Sequence, residues 1–393
     1  MAFKVNALDL FREERYSCLD YHDVSSLTPT EKEVIKGIMC DTLYIFLQDI
    51  DYQYPVTEKH SRLRQEFHDW AKVEVPRATS RKMRSLDALL EEGVFSGESF
   101  YPFASHETKL LMAKITTLAI ALDNDWLSPK ARTRLPLSQN RFWQRQPVDD
   151  EFSSAFFQLI AEAGDIFGDK DPIIGTLAAS SWSDFVAGCL MENQLWGVAQ
   201  QIGHHGGTSS EGVGFCPVED YPSYLRHLTG VPMGYVVPIF KPSREIDVPY
   251  SVWMSYLPAL RTAISQGNDL FSYVKEMLNG ECVNYVSVVT NTKRASGFHS
   301  RFVEDSLWTF RDSVCDLFQR VLQSCEALQK AFKPSARCMR EGNCAELNGT
   351  LDELRTADFL WHSFLHGYIG WHIDSPRYHL DSLRDHLIAD EQG

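Results

Sequence analysis

Six long stretches of this chain repeat their apolar residues with a helical rather than an alternating period: Glu31 to Ile50, Thr108 to Leu122, Glu151 to Phe167, Ser181 to Ile202, Tyr256 to Leu278 and Glu304 to Phe332. Such a rhythm places one apolar stripe on a helix face and offers a sheet nothing to bury. The expectation is an all-α fold. Cys282 to Val289 is β-rich in composition, but it lies between two helical patterns and fits one more helix as well as a strand. With 44% hydrophobic residues and 23 Phe, 15 Tyr and 9 Trp, the 393 residues can fill a large core, so disorder is excluded for most of the chain.

Gly, Pro and Ser interrupt the rhythm at Pro129, Gly203 to Pro217, Pro232 to Pro249 and Lys333 to Gly349. Composition does not change across these breaks and no repeat is visible, so residues 26–393 read as one helical domain with long loops. Residues 1–25 read as a flexible N-terminal arm. A net charge of −15 argues against a nucleic-acid partner. The N-terminus lacks a signal-peptide pattern, and the longest apolar run, near Leu118 to Leu122, falls well short of the roughly 20 residues of a membrane span. A soluble, cytoplasmic protein with no membrane partner is expected, as a monomer or homodimer. Nine cysteines with no CxxC pair suggest neither a disulfide framework nor a zinc site.

The segment Asn268-Asp269-Leu270-Phe271-Ser272-Tyr273-Val274-Lys275-Glu276 carries the chemistry. At about 100° per residue, Asn268, Ser272 and Glu276 project from one helix face over roughly two turns, with Lys275 beside them. Amide, hydroxyl and carboxylate oxygens in a row suit Mg²⁺, which prefers hard oxygen donors and shares them with substrate phosphates. Apolar neighbours on the other faces place this stripe toward an internal cavity rather than solvent.

This segment resembles the metal-binding signature of class I terpene cyclases, (N/D)Dxx(S/T)xx(K/R)(E/D), at every position. The resemblance implies a single-domain helical barrel around an apolar pocket. The implied reaction is Mg²⁺-dependent ionisation of an isoprenoid diphosphate followed by carbocation cyclisation. Further matches lie in the expected order. Arg226, 42 residues before Asn268, resembles the family's diphosphate sensor, with Thr229 and Gly230 in the linker and effector positions. Arg377-Tyr378 resembles its terminal RY pair. The aspartate-rich motif departs from the family pattern: the stretch Asp123-Asn124-Asp125-Trp126-Leu127, 145 residues upstream of Asn268, has Asn at the second acidic position and Leu at the last. Asp123 and Asp125 at a helix C-terminus need a compensating cation. The missing acids leave one or two Mg²⁺ held mainly by Asn268, Ser272 and Glu276, and resemble the non-standard motif of fungal humulene synthases.

Ionising an allylic diphosphate requires a cationic mouth beside a dry, non-nucleophilic pocket. Lys275, Arg226 and Arg377 supply the first, and aromatic walls the second. Phe271 and Trp371 are the aromatic residues placed in the pocket wall. No histidine is assigned as a general base, although His204, His205, His362 and His372 are candidates by residue type. The leading expectation is a sesquiterpene cyclase acting on farnesyl diphosphate. The alternatives are a C10 or C20 substrate and a cyclase-derived, non-catalytic helical binding protein. The paired DDxxD motifs of chain-elongating prenyltransferases and the DxDD of class II cyclases are absent.

Overall fold

A computed structural model describes residues 5–21, 23–55, 57–79, 81, 86–124, 126–203, 218–281, 283–333 and 350–392. In chain order the helices are α1 (Ala7–Phe11), α2 (Pro29–Asp49), α3 (Ser61–Thr79), α4 (Asp87–Ser99), α5 (His106–Asp123), α6 (Pro129–Trp143), α7 (Glu151–Phe167) and α8 (Pro172–Gly203). There follow α9 (Tyr221–Thr229), α10 (Pro232–Phe240), α11 (Tyr250–Trp253), α12 (Leu257–Asn279), α13 (Tyr285–Ala295), α14 (Phe310–Phe332), α15 (Leu351–Asp374) and α16 (Asp381–Gln392). Among the described residues the only β feature is one isolated bridge between His299 and Leu307. The Cys282 to Val289 ambiguity resolves as the start of α13, whose N-cap Asn284 accepts from the Ser287 amide.

Local chemistry explains where most helices begin. Thr28 with Glu31, Thr309 with Asp312 and Thr350 with Glu353 each form a reciprocal capping box that satisfies two otherwise orphaned amides. Thr309 therefore starts α14 at Phe310, and the helical rhythm expected from Glu304 does not become helix before that cap. Pro129 is likewise not a break: it occupies the first turn of α6, where its missing N–H costs nothing, and Ser128 caps it. Within the expected break Pro232 to Pro249, residues Pro232–Phe240 fold as α10.

Helix pairs α4/α5, α7/α8 and α12/α14 form the tightest contacts, and α15 crosses α4, α10 and α14. Close approach depends on missing side chains: a Cβ at Gly97 would meet the Lys109 carbonyl oxygen at 2.5 Å, and one at Gly367 would meet the Ser99 oxygen at 1.7 Å. The Pro172–Gln194 part of α8 is long and apolar enough to cross a membrane, contrary to the expectation that no run approached that length. It packs instead against α7, α9 and α10, with Trp182 fully buried.

The expected N-terminal arm is also corrected over its described residues. Phe11, Tyr16 and Leu19 are completely buried. Arg311 of α14 donates to the Phe11 carbonyl at 2.7 Å and the Glu13 carbonyl at 3.2 Å, and pairs with Asp20 at 3.2 Å. Tyr21 hydrogen-bonds Tyr273 of α12. Burial of three large apolar side chains, each contributing about 1.5–3 kcal/mol, offsets the entropy of fixing the segment.

Gly367→Ala should force α15 away from the end of α4 and cost about 1–3 kcal/mol by overpacking against backbone. An unchanged denaturant midpoint in that variant would show that the two helices have room to give.

Candidate active site

The ends of α5, α8, α9, α12 and α15 surround a cavity of about 480 Å³, within the usual range of small-molecule sites. From α12 come Asn268, Asp269, Ser272, Lys275 and Glu276. At about 100° per residue these five occupy an arc of about 120°, which is why one helix can present them all to one space. Across the cavity stand Asp123 at the end of α5, Glu192 on α8, Arg226 and Thr229 on α9, Trp371 on α15, and Arg377 and Tyr378 in the turn after α15. The residues expected from the sequence therefore converge, with two exceptions. Asp125 lies outside the described residues, as do His204, His205 and most of the expected breaks Gly203 to Pro217 and Lys333 to Gly349. Phe271 does not line the cavity. It falls about 40° beyond the lining arc of α12, and its ring lies in the core 6.1 Å from that of Phe46 and 5.6 Å from that of His372.

Arg226 is the hub. Its guanidinium donates to Asp269 Oδ2 at 2.9 Å, to Asn268 Oδ1 at 2.8 Å, to the Ser265 carbonyl at 2.9 Å and to Thr229 Oγ1 at 3.3 Å. A Cβ at Gly230 would meet Ser265 Oγ at 2.2 Å, so glycine there lets α9 approach α12 closely enough for these bonds. Next to it, Val231 takes the left-handed conformation at φ 45°, unfavourable for a β-branched residue. The chain thus turns from α9 into α10 with the strain on Val231.

At the far side, Arg377 donates to Asp123 Oδ2 at 3.1 Å and to Asn124 Oδ1 at 3.3 Å. Asn124 in turn caps α5, donating to the Ile120 carbonyl at 2.9 Å. On α12, Ser272 Oγ donates to Glu276 Oε1 at 2.6 Å, and Lys275 Nζ lies 3.8 Å from that oxygen. Glu276 Oε2 is buried with no partner.

Three groups overlooked in the sequence matter here. Asp269 stands seven residues before Glu276 and so shares its face, a spacing that could have revealed it. His372 lies four residues after Tyr368: its Nδ1 donates to the Tyr368 carbonyl at 2.8 Å, so Nε2 accepts from Asn268 Nδ2 at 2.9 Å. Burial holds its pKa down to about 3, and as a neutral ring with both nitrogens engaged it is no general base. Glu192 had no signal, because nothing in the α8 pattern marks it as facing a site 76 residues from Asn268 in sequence.

Carboxyl groups in this space resist ionisation. Burial, reinforced by the Asp123 charge, pushes Glu192 up to about 8. Burial also pushes Asp269 up to about 7 against the pull of Arg226, and raises Glu276. Among the described residues no three His, Cys, Asp or Glu side chains come together as a metal site. The donor set that does exist, Asn268, Ser272 and the unpartnered Glu276 Oε2, consists of hard oxygens and fits Mg²⁺ provided that further ligands come from substrate or water.

No protein-family model matches the chain. Its sequence is 24% identical over 285 residues to terpene synthase BipA of Cochliobolus sativus, covering 72% of this chain and 71% of that protein. It is 23% identical over 306 residues to an (E)-beta farnesene synthase of Metarhizium brunneum, covering 77% and 76%. The structure superposes on linalool/nerolidol synthase of Streptomyces clavuligerus with a TM-score of 0.53 at 18% identity, over 82% of this chain and 99% of that one. An α-eudesmol synthase gives 0.54 at 14% identity, over 82% and 97%.

The raised carboxyl groups predict a pH response. An acid whose pKa is higher folded than unfolded binds the extra proton in the folded state, so stability is lost as pH rises through the folded value. Without metal, the melting temperature should fall between about pH 5 and pH 8, and Glu192→Gln should flatten that slope. A melting temperature that is level or rises over this range would contradict the raised Glu192. In fold the chain is similar to the terpene synthases of known structure, and in sequence to fungal terpene synthases at 23–24% identity.

Proposed function

We propose that this chain is a Mg²⁺-dependent sesquiterpene cyclase, which ionises farnesyl diphosphate, folds and cyclises the cation, and releases diphosphate. The observation that carries the reading is the meeting of Arg226, Lys275 and Arg377 with the oxygen row Asn268, Ser272 and Glu276 at one cavity whose other wall is aromatic. Asn268, Ser272 and Glu276 would hold Mg²⁺ on one side and Asp123 on the other. Bound there, the metal supplies Lewis-acid stabilisation of charge on the leaving oxygens.

The chain's own side chains account for the rest. Arg377 matches phosphate oxygens bidentately once it exchanges Asp123 for substrate, and Lys275 adds a point charge. Tyr378 stands beside them with its ring 4.7 Å from that of His372. Phe100, Tyr235, Tyr368 and Trp371 line the apolar part, with Phe100 packed edge-on 5.1 Å from Tyr368 and 5.4 Å from Trp371. The Trp371 indole N–H donates to the Glu92 carbonyl and the Tyr368 hydroxyl to the Ile264 carbonyl, so the polar atoms of both rings are tied to backbone. An aromatic face turned to a cation stabilises it by about 0.5–2 kcal/mol. A humulene-type product is the finer proposal. It rests on the Asn124 and Leu127 departures in the aspartate segment.

Purified protein should release inorganic diphosphate from farnesyl diphosphate only when Mg²⁺ is present, and gas chromatography should detect a C15 terpene. Glu276→Gln should abolish turnover with the fold intact. Turnover of only the C10 or C20 diphosphate would replace the substrate, and binding without diphosphate release would leave a non-catalytic binding protein.

His372 acts here as a positioning residue, because its acceptor nitrogen holds the Asn268 NH₂ group and so fixes the amide with its oxygen on the Arg226 side. His372→Leu should weaken the apparent Mg²⁺ affinity about 10–100-fold. In an Asn268→Asp background, where either carboxylate oxygen can serve as ligand, the same change should have far less effect. Equal losses in both backgrounds would reduce His372 to core packing.

A further inference from the structure

Two helices hold Arg377 by different ends of its guanidinium. In the α4/α5 pair, a Cβ at Gly97 would meet the Lys109 carbonyl oxygen at 2.5 Å and one at Gly93 would meet Thr117 Oγ1 at 1.8 Å, so the helices run antiparallel in close contact. Glu92, one residue before Gly93, therefore reaches the same end of the pair as Asp123, six residues after Thr117. Arg377 Nη2 donates to Asp123 Oδ2 at 3.1 Å and to Asn124 Oδ1 at 3.3 Å, both on α5 and its C-cap. From α4, Glu92 Oε2 lies 3.9 Å from Nη1. That distance is an ion pair rather than a hydrogen bond. The two acids also differ in setting: the Asp123 side chain is 48% exposed and that of Glu92 13%. Solvent screens the first pairing far more than the second.

Glu92 fastens the end of α15 at three points. Its backbone carbonyl accepts from the Trp371 indole N–H at 3.0 Å, its Oε1 accepts from Ser375 Oγ at 3.0 Å, and its Oε2 faces Arg377. Ser375 is the C-cap of α15, and Arg377 sits in the single 3-10 turn Pro376–Tyr378 that follows it. So short a turn cannot by itself hold a side chain as long and rotamer-rich as arginine. Asp123 cannot hold it either once a ligand is bound, because Asp123 is the partner that the ligand displaces. The pairing that survives the exchange is the one to Glu92. Glu92 itself does not line the cavity, so it reaches a ligand there only through Arg377.

We propose that Glu92 is the positioning residue for Arg377: with Ser375 it holds the Nη1 end of the guanidinium from behind the cavity, so that Nη2, now given to Asp123 and Asn124, is the end presented to a diphosphate group. This deepens the proposed function and rests on its placing of diphosphate at Arg377. Arginine recognises phosphate oxygens by the direction of its N–H bonds as well as by charge, so a guanidinium fixed in plane binds with less ordering cost than a free one. The cavity then has one releasable acid on Arg377, at its mouth, and one permanent acid behind it.

The test is calorimetric titration of the full chain with inorganic diphosphate at saturating Mg²⁺. Glu92→Gln keeps the size of the side chain, an acceptor oxygen for Ser375 and the backbone bond to Trp371, and removes only the charge. Loss of a negative charge near an anion site would by itself strengthen anion binding. Positioning predicts the opposite sign: Glu92→Gln should bind diphosphate about tenfold more weakly. Ser375→Ala, which leaves every charge in place, should weaken binding in the same direction. In an Arg377→Ala background, with nothing left to position, Glu92→Gln should leave binding unchanged or raise it. Glu91→Gln, an exposed neighbour paired with Arg64, should bind as the parent does. No binding by the parent, unchanged or tighter binding by Glu92→Gln with Arg377 present, or an equal loss without Arg377 would each overturn the assignment. Because the probe has no prenyl chain, a parent that binds diphosphate but does not turn over farnesyl diphosphate would count against the proposed reaction and not against Glu92.

Discussion

Everything at the mouth of the cavity depends on the buried pair of Arg226 and Asp269. Their side chains are 15% and 6% exposed, so both charges have largely left water. A buried ion pair repays that desolvation only when the remaining donors are also used. Here they are used: Asn268, Thr229 and the Ser265 carbonyl take the rest of the guanidinium. The pair thereby fixes the distance between α9 and α12, and Gly230 and the left-handed Val231 are the backbone consequences of that distance. Removing either partner leaves a lone buried charge, which is costlier than never having built the pair.

The same network sets up an electrostatic imbalance that a ligand is needed to resolve. Glu192 is pushed toward neutrality, Glu276 keeps one oxygen unpartnered, and Arg377 is held by Asp123 rather than free. On the proposed function, a dication held between Asp123 and Glu276 would let the carboxyl groups ionise, and an anion bound with it would compete with Asp123 for Arg377. Metal and diphosphate would then favour each other's binding, each removing the other's desolvation cost. Such coupling is what the proposed reaction, beginning with charge separation, would require.

The parts legible in the sequence were those with a period or a fixed spacing. The all-α class followed from the helical rhythm, and the α12 face from the spacing of Asn268, Ser272 and Glu276. Arg226 and the Arg377-Tyr378 pair were found through the resemblance to class I terpene cyclases, whose motifs they follow in order. What escaped depends on tertiary contact. The docking of the N-terminal segment, with Phe11, Tyr16 and Leu19 buried, depends on contacts such as that of Arg311, some 300 residues away, with the Phe11 carbonyl. Glu192 belongs to the site only because α8 runs past α9. The hidden role of His372 depends on which ring nitrogen meets a backbone carbonyl, and residue spacing carries no tautomer.

Phe271 shows how a small angular error relocates a function. Placed in the cavity, its ring would shape the folding of the substrate chain. About 40° further round the helix, it instead joins Phe46, which meets Phe318, which meets Phe11. These rings tie α12 to α2, α14 and the N-terminal segment, so Phe271 acts by holding the cavity-facing side of α12 still. On the proposed function, control of product shape would pass to side chains on other helices: Phe100 after α4, Phe185 on α8 and Trp371 on α15. Because those three sit on separate elements, the contour of the pocket is set by how α4, α8 and α15 pack. Close contacts such as Gly367 against Ser99 therefore bear on the shape of the cavity as well as on stability.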